Sequence, residues 1–240
     1  MRSRPIFRKN MGKKLGALKL TENCLIVFAK EPQLGLVKTR LRSVLSVHQC
    51  LSLYKAFLKD THSIIRPLKE ISRILAYDSL SEPPRYLESI FKNYIFYQQE
   101  GRHLGQRMHR ALVWAKRQGA QRIVIIGSDT PNLPTEYILE AFLRLKDNDL
   151  VLGPSEDGGY YLVGLKVPNY SLFKDIEWSS DKVLRQTINQ AKIAEQRVSL
   201  LKKWQDIDDA KSLKQLKKSF RQSNRTRALW TRKILRFMGA

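Results

Sequence analysis

An α/β fold of three layers, with helices on both faces of a mostly parallel sheet, is what the sequence predicts. Three observations carry that prediction. Short, wholly apolar runs such as CLIVFA (24–29) and RIVIIG (122–127) read as strands buried on both faces. Segments with apolar residues at helical spacing alternate with these runs, the pattern of right-handed βαβ units. No internal repeat or low-complexity linker interrupts the alternation, so a single α/β domain is expected.

The elements follow in order. CLIVFA is bounded by charge and then by Pro32 and Gly35, which end it as a strand and open a loop. A helical pattern covers 46–66, ISRILAY (71–77) is a second strand and YIFYQ (94–98) a third. Leu104, Met108, Leu112 and Ala115 give a helix to Gln118, with Gly119 as its stop. RIVIIG is the strongest strand in the chain, and it ends at Ser128-Asp129-Thr130-Pro131 before a helix over 135–146. DLVLG (149–153) and YYLVGL (160–165) flank the turn-rich PSEDGG. A short helix follows Asp181, and RVSLL (197–201) closes the sheet.

The composition suits a globular enzyme: 240 residues, 42% hydrophobic, with 12 Gly, 9 Pro and 2 Cys. That excludes collagen-like, disulfide-stapled and wholly disordered chains. Cys24 and Cys50 carry no metal-ligand spacing and read as small buried hydrophobes in a reducing cytoplasm. No apolar run approaches the roughly 18 residues that span a bilayer. The basic N-terminus lacks a continuous apolar stretch and a small-residue cleavage site, so it does not read as a signal peptide. Met11 is an alternative start.

The net charge of +22 invites a nucleic-acid reading, and its location decides how far to take it. Residues 1–20 carry seven basic groups and residues 211–240 carry ten, both without an acid; the remainder is close to balanced. The expected layout is a basic tail over 1–20, the α/β domain over 21–210 and a basic helical extension over 211–240. Basic ends attract phosphates, on nucleic acid or on an anionic membrane surface. In the extension Leu213, Leu216 and Phe220, then Trp230, Ile234 and Phe237, stand at helical spacing. Such a helix either lies at a membrane interface, making the protein peripheral there, or packs its apolar face on the body.

In open sheets of this kind ligands bind beyond the carboxyl ends of the strands, so three loops matter. FAKEPQLGLVKTRL (28–41) clusters Lys30, Lys38 and Arg40 with Gly35, and can present cations and backbone amides to phosphates. It is not a Walker A loop, and a solvated basic turn with Thr39 as a helix cap explains it as well. IGSDTPNLP (126–134) sets Asp129 just past a buried strand, either as a ligand for a divalent cation on phosphate oxygens or as a turn former. GPSEDGGYYLVG (153–164) places Glu156 and Asp157 before two glycines, which allow close approach of a ligand or simply make a tight turn. Together the loops supply cations, a strand-end carboxylate and a glycine turn with a second acid, the parts that hold a nucleoside diphosphate and its metal.

With these motifs the chain resembles the small bacterial GT-A-like glycosyltransferases of the arsenosugar-biosynthesis or radical-SAM/selenodomain-associated type, long catalogued as a domain of unknown function. The matching stretches are FAKEPQLGLVKTRL, LGQRM (104–108), IGSDTPNLP, LGPSEDGGYYLVGL, FKDIEWSS (173–180) and QDIDDAKSL (205–213), in the family's order across roughly 24–213. The resemblance implies a nucleotide-diphospho-sugar transferase fold, similar also to nucleotidylyltransferases. It implies that Lys38 and Arg40 face the phosphates and that Asp129 stands where the fold's metal-binding aspartate belongs. A D-x-D pair is absent, so the second ligand comes from elsewhere: Asp157 first, with Asp206 or Asp208 as others. Ser180 replaces the Thr more usual in relatives and keeps a helix-cap hydroxyl. Neither basic end falls within the resemblance.

The function expected on these grounds is metal-dependent glycosyl transfer from a nucleotide-diphosphate donor to an acceptor, with Mg²⁺ or Mn²⁺ as cofactor. Asp129 and Asp157 are the expected catalytic and metal-binding residues, Asp157 alternatively acting as the acceptor's base. Lys30, Gly35, Lys38, Thr39 and Arg40 would bind phosphate. Gly158, Gly159, Tyr160 and Trp178 would line the substrate, with Tyr160, Tyr161 and Trp178 able to stack on sugar or base or to be buried as core. His103 and His109 are read as structural or exposed. One alternative is a nucleotidylyltransferase acting on an NTP and a phosphorylated acceptor. Another is a nucleic-acid- or membrane-binding protein working through its basic ends.

Overall fold

The protein is described from a computed structural model that covers residues 19–80, 84–222 and 227–239. The basic tail up to residue 18, with six of its seven cations, lies outside the described residues.

Seven strands form one sheet in the order β3-β2-β1-β4-β6-β5-β7. They are β1 (Asn23–Lys30), β2 (Ser72–Asp78), β3 (Ile95–Gln98), β4 (Arg122–Gly127), β5 (Leu150–Pro154), β6 (Tyr160–Leu165) and β7 (Val198–Leu200). All neighbours are parallel except β6, which runs antiparallel between β4 and β5. The PSEDGG turn is too short for a crossover, so β5 and β6 pair as a hairpin-like ribbon. The strand order reverses between β1 and β4, which leaves a crevice at their carboxyl ends.

The period-2 alternation of the apolar strands fills both faces of the sheet. Leu25, Val27, Val124 and Ile126 face one layer, with α1 (Val47–Ile65) and α4 (Thr135–Arg144) laid over them. Cys24, Ile26, Ile123 and Ile125 face the other, under α3 (Leu104–Arg117) and α5 (Val183–Ile193). The expected three layers are present. Helix α1 starts one residue later than the apolar spacing suggests because Ser46 is its cap. Ser46 Oγ accepts from Gln49 N at 3.2 Å while Gln49 Oε1 accepts from Ser46 N at 2.8 Å. Helix α2 (Arg85–Ile90) was not foreseen: it buries only Leu87 and has no side-chain cap of its own. Its first amides, Tyr86 N and Leu87 N, instead donate to the Glu31 carboxylate in the loop after β1 at 2.8 and 3.1 Å.

Residues beyond 209 make α6 (Ala210–Gln222) and α7 (Leu229–Phe237), and both pack on the body. Helix α1 gives Tyr54, Leu58 and Ile65 to the sheet, and gives Cys50, Leu53 and Phe57 to a third cluster with Ile207, Leu213, Leu216 and Leu235. It is therefore covered on two sides, and α6 and α7 form a fourth layer over it. Asp60 fastens this layer. Almost fully buried, it accepts from Trp230 N at 3.0 Å, Thr231 N at 2.8 Å and Thr231 Oγ1 at 2.6 Å, which caps the first turn of α7 with a negative charge. Burial pushes the Asp60 carboxyl above the usual carboxylate range and these donors pull it back. Asp60→Ala removes all three acceptor contacts and is expected to cost about 2 kcal/mol of stability. Denaturant titration measures the loss, and amide exchange over 229–237 should quicken well before exchange in the sheet.

Candidate active site at the carboxyl ends of β1 and β4

A cleft of about 790 Å³ opens over the crevice between β1 and β4. Strand β4 places Ser128 and Asp129 at its floor. The loop after β1 swings Lys38 in beside them, and the stretch before α6 arrives from the far side because Ile207 N donates to Asp129 O at 2.9 Å. Three distant parts of the chain thus meet at one point.

Lys38 is the centre of that meeting. Its backbone is left-handed, at φ 50°, at the head of a 3₁₀ turn over Thr39–Ser43, and its side chain is only 3% exposed. Nζ lies 2.5 Å from Asp129 Oδ1 and donates to Asp208 Oδ1 at 2.8 Å and to Ile207 O at 2.7 Å. Burial alone would lower the pKa of this amine, but the two carboxylates outweigh it and hold the ammonium charged. Desolvation in the cleft pushes the Asp129 carboxyl upward, and Lys38 opposes that shift. Tyr54, which nothing in the sequence singled out, braces the arrangement. Its hydroxyl accepts from Lys30 N at 2.9 Å and sits 3.1 Å from Ser128 Oγ, tying the end of β1 to the end of β4.

A further acid completes the cluster. Asp206 is pushed up to about 8 by burial, then by the like charges of Asp129, Asp208 and Asp157, and its Oδ1 is buried without a hydrogen-bond partner among the described residues. Among the described residues no three Asp, Glu, His or Cys side chains already stand as a metal-ligand set. The donor chemistry nevertheless suits a hard divalent cation, which commonly takes one or two carboxylates and leaves its other positions to water and substrate phosphate. Asp129 and Asp208 are the two oxygen donors that would hold it, and an orphaned Asp206 oxygen is what such a charge would relieve.

The other expected residues divide into those at the cleft and those spent on building it. Lys30, Thr39 and Arg40 are exposed at its rim. Gly35 is not among the lining residues: at φ 80° it makes the turn whose carbonyl accepts from Arg42. Asp157 reaches the cleft, but its Oδ1 accepts from Ser155 Oγ and, at 3.1 Å, from Gly159 N, so it also holds the β5–β6 turn. Asp208, rather than Asp157, shares Lys38 with Asp129. Gly158 is not among the lining residues, and the protein itself requires it: at φ 88°, a Cβ there would lie 2.1 Å from Asp181 O. Gly159 lines the cleft.

The aromatic residues form a wall. Tyr160 packs into the second core layer, with burial raising its hydroxyl pKa, and Tyr161 is buried with its hydroxyl donating to Lys202 O at 2.9 Å. Both nevertheless line the cleft, Tyr160 half-buried between core and opening. Trp178 stacks on His103, ring centroids 6.3 Å apart at 26°, and both line the cleft, as does Arg107, whose Nη1 pairs with Asp78 Oδ2 at 2.9 Å. Gly105 lets Trp178 in, since a Cβ there would meet the indole at 2.5 Å. Ser180 does not cap α5 as expected: the cap is Lys182, two residues on and without a side-chain bond, and Ser180 Oγ instead closes a turn, donating to Glu177 O at 2.7 Å and accepting from Lys182 N at 3.2 Å.

Sheet order and cleft position define a class first, the nucleotide-diphospho-sugar transferase-like α/β fold. A Desulfovibrio desulfuricans G20 protein named as a candidate nucleotide-diphospho-sugar transferase superposes with a TM-score of 0.84 at 30% identity, over 90% of this chain and 95% of that one. The family model described as "Uncharacterized protein conserved in bacteria (DUF2064)" matches residues 65–180, and the chain belongs to that family. A 2-phospho-L-lactate guanylyltransferase of Methanobrevibacter ruminantium is 25% identical over 167 residues, 63% of this chain and 71% of the relative. A 4-diphosphocytidyl-2C-methyl-D-erythritol synthase of Anaerococcus prevotii shares the fold alone, with a TM-score of 0.50 at 10% identity over 75% of this chain and 87% of that one.

The acid cluster fixes a pH dependence. An Asp206 carboxyl that ionises near 3.8 when unfolded and about 8 when folded leaves the native state holding the extra proton between those values. Stability therefore falls as pH rises through that window and levels off above it. Asp206→Asn is expected to raise the melting temperature at pH 8 and leave it nearly unchanged at pH 4, as differential scanning calorimetry would show.

Proposed function

We propose that this protein is a metal-assisted glycosyltransferase that takes a sugar from a nucleoside diphosphate and passes it to an acceptor hydroxyl. The observation that carries the reading is the Asp129–Lys38–Asp208 cluster on the floor of a cleft with further cations at its rim. In such a transfer the bond between the anomeric carbon and the β-phosphate oxygen breaks, and the departing diphosphate gains negative charge. A divalent cation held by Asp129 and Asp208 would neutralise part of that charge. Lys38 supplies a fixed positive charge at the same point, and Lys30 and Arg40 supply two more at the mouth, which is electrostatic stabilisation by preorganised groups. Thr39 adds a hydroxyl beside them.

The sugar and acceptor would lie toward the β5–β6 turn. Asp157, oriented by Ser155 and Gly159, would take the proton from the acceptor hydroxyl as it attacks. Trp178, backed by His103, offers an aromatic face to sugar or base. Both cysteines are free and buried, as in a protein kept in a reducing cytoplasm. Among the described residues no helix is long and apolar enough to cross a membrane.

The guanylyltransferase relative favours a second reading, in which an acceptor phosphate attacks the α-phosphate of an NTP. The same cluster would serve, with pyrophosphate as leaving group. Thermal-shift titration against nucleoside diphosphates, their sugars and NTPs, with and without Mn²⁺, separates the two, because a ligand of the native state raises the melting temperature by mass action. A Mn²⁺-dependent shift for one nucleoside diphosphate or its sugar is expected, with nucleoside diphosphate as product. A preference for an NTP, with pyrophosphate as product, would establish the second reading. Asp129→Ala should abolish the Mn²⁺-dependent shift without unfolding the protein, since Lys38 keeps Asp208 and Ile207 O as partners. An unchanged shift in that variant would reduce Asp129 to a turn former.

A further inference from the structure

The outer face of α7 has no part in the cleft. Thr231 and Leu235 turn inward onto Asp60 and the third core cluster, and this docking decides which residues face away. Facing away are Leu229, Trp230, Lys233, Arg236 and Phe237. At 3.6 residues per turn these positions share one arc of the helix, so three large apolar side chains are interleaved with two cations. Phe237 is 87% exposed, Leu229 60% and Trp230 43%. Lys59 of α1 adds a third cation, its Nζ 4.4 Å over the Trp230 ring.

The surroundings carry the same sign. Arg232 joins α7 to α6 by donating to Phe220 O at 2.9 Å, and α6 exposes Lys211, Lys214, Lys218 and Arg221. Residues 211–240 contain no acid, and two acids near α7 are engaged: Asp60 is buried under its first turn and Glu136 pairs with Arg227. Residues 1–20 bring seven more basic groups to the chain, also without an acid.

We propose that this face of α7 docks the protein on an anionic phospholipid surface, Leu229, Trp230 and Phe237 entering the headgroup layer while Lys233, Arg236 and Lys59 meet lipid phosphates. Single exposed leucines are ordinary, but three large apolar groups on one arc of an anchored helix, ringed by cations, match the chemistry of a lipid interface. A nucleic acid would satisfy the cations and leave Leu229 without a partner. A second copy of this chain on the same face would bring Lys233 and Arg236 against their own counterparts, like charge against like.

Co-sedimentation of the full chain with phosphatidylcholine vesicles, with and without added phosphatidylglycerol, tests the proposal. Binding is expected only to the phosphatidylglycerol vesicles. Trp230→Ser with Phe237→Ser should weaken it by roughly tenfold or more through lost apolar insertion, and Lys233→Glu with Arg236→Glu should abolish it. Unchanged melting temperatures confirm that these exposed changes leave the fold intact, and Phe237→Ser alone, with its side chain almost wholly in solvent, serves if the pair does not fold. Failure to bind phosphatidylglycerol vesicles overturns the proposal. So does binding insensitive to the apolar changes, tighter retention by a duplex or single-stranded oligonucleotide, or self-association in sizing columns that depends on Trp230 and Phe237.

Discussion

One buried ammonium organises this molecule. Lys38 sits between Asp129 and Asp208 with almost no access to solvent, and each of its partners comes from a different part of the chain. A charge so placed would be costly without its carboxylates, and the carboxylates would repel each other without it. The loop after β1, the end of β4 and the strap before α6 are therefore held in one arrangement by electrostatics as much as by packing. The left-handed backbone at Lys38 is the local strain that this arrangement keeps. On the proposed function, the same concentration of charge would serve phosphate chemistry, since groups that stabilise each other in the protein would also balance a diphosphate and its cation.

The fold positions this cluster through topology. Reversal of strand order between β1 and β4 leaves their carboxyl ends uncovered, and the antiparallel β6 sends its connecting turn back to the same rim. Helix α1 then does two things at once. Its inner face packs on the sheet and carries Tyr54 to the ends of β1 and β4, while its outer face takes Ile207, Leu213, Leu216 and Leu235. Docking of α6 on α1 brings the strap bearing Asp206 and Asp208 to the cleft floor. The charged C-terminal layer, which composition alone presents as a basic appendage, is thus continuous with the core that builds the site.

How much of this was legible in the sequence follows from range. Strands β1 and β4 announce themselves by unbroken apolar runs, and helices α3 and α4 by apolar spacing, because both patterns are local. Lys30, Lys38 and Arg40 stand out as cations clustered with a glycine in one loop and Asp129 as an acid at a strand end, but that Lys38 is buried as the structural partner of two carboxylates is not legible locally. The partner of Asp129 was less legible. The resemblance puts Asp157 first, with Asp206 or Asp208 behind it, and Asp208 is the acid that shares Lys38, a contact between residues 170 positions apart. Gly158 illustrates an ambiguity that only tertiary structure resolves: Asp-Gly-Gly suits a ligand or a turn, and the backbone of Asp181 is what fills the space. Helix α2 was invisible because its cap, Glu31, lies in another loop.

The central proposal is that Asp129 and Asp208, brought together around Lys38, would hold the cation and diphosphate, with Asp157 set apart in the β5–β6 turn. Electron paramagnetic resonance of Mn²⁺ bound in the presence of the preferred nucleotide, compared across Asp208→Asn and Asp157→Asn, tests it most directly. The account predicts that Asp208→Asn loses the bound Mn²⁺ signal while Asp157→Asn retains it. Retention in Asp208→Asn together with loss in Asp157→Asn would contradict the account and place the metal at the glycine turn.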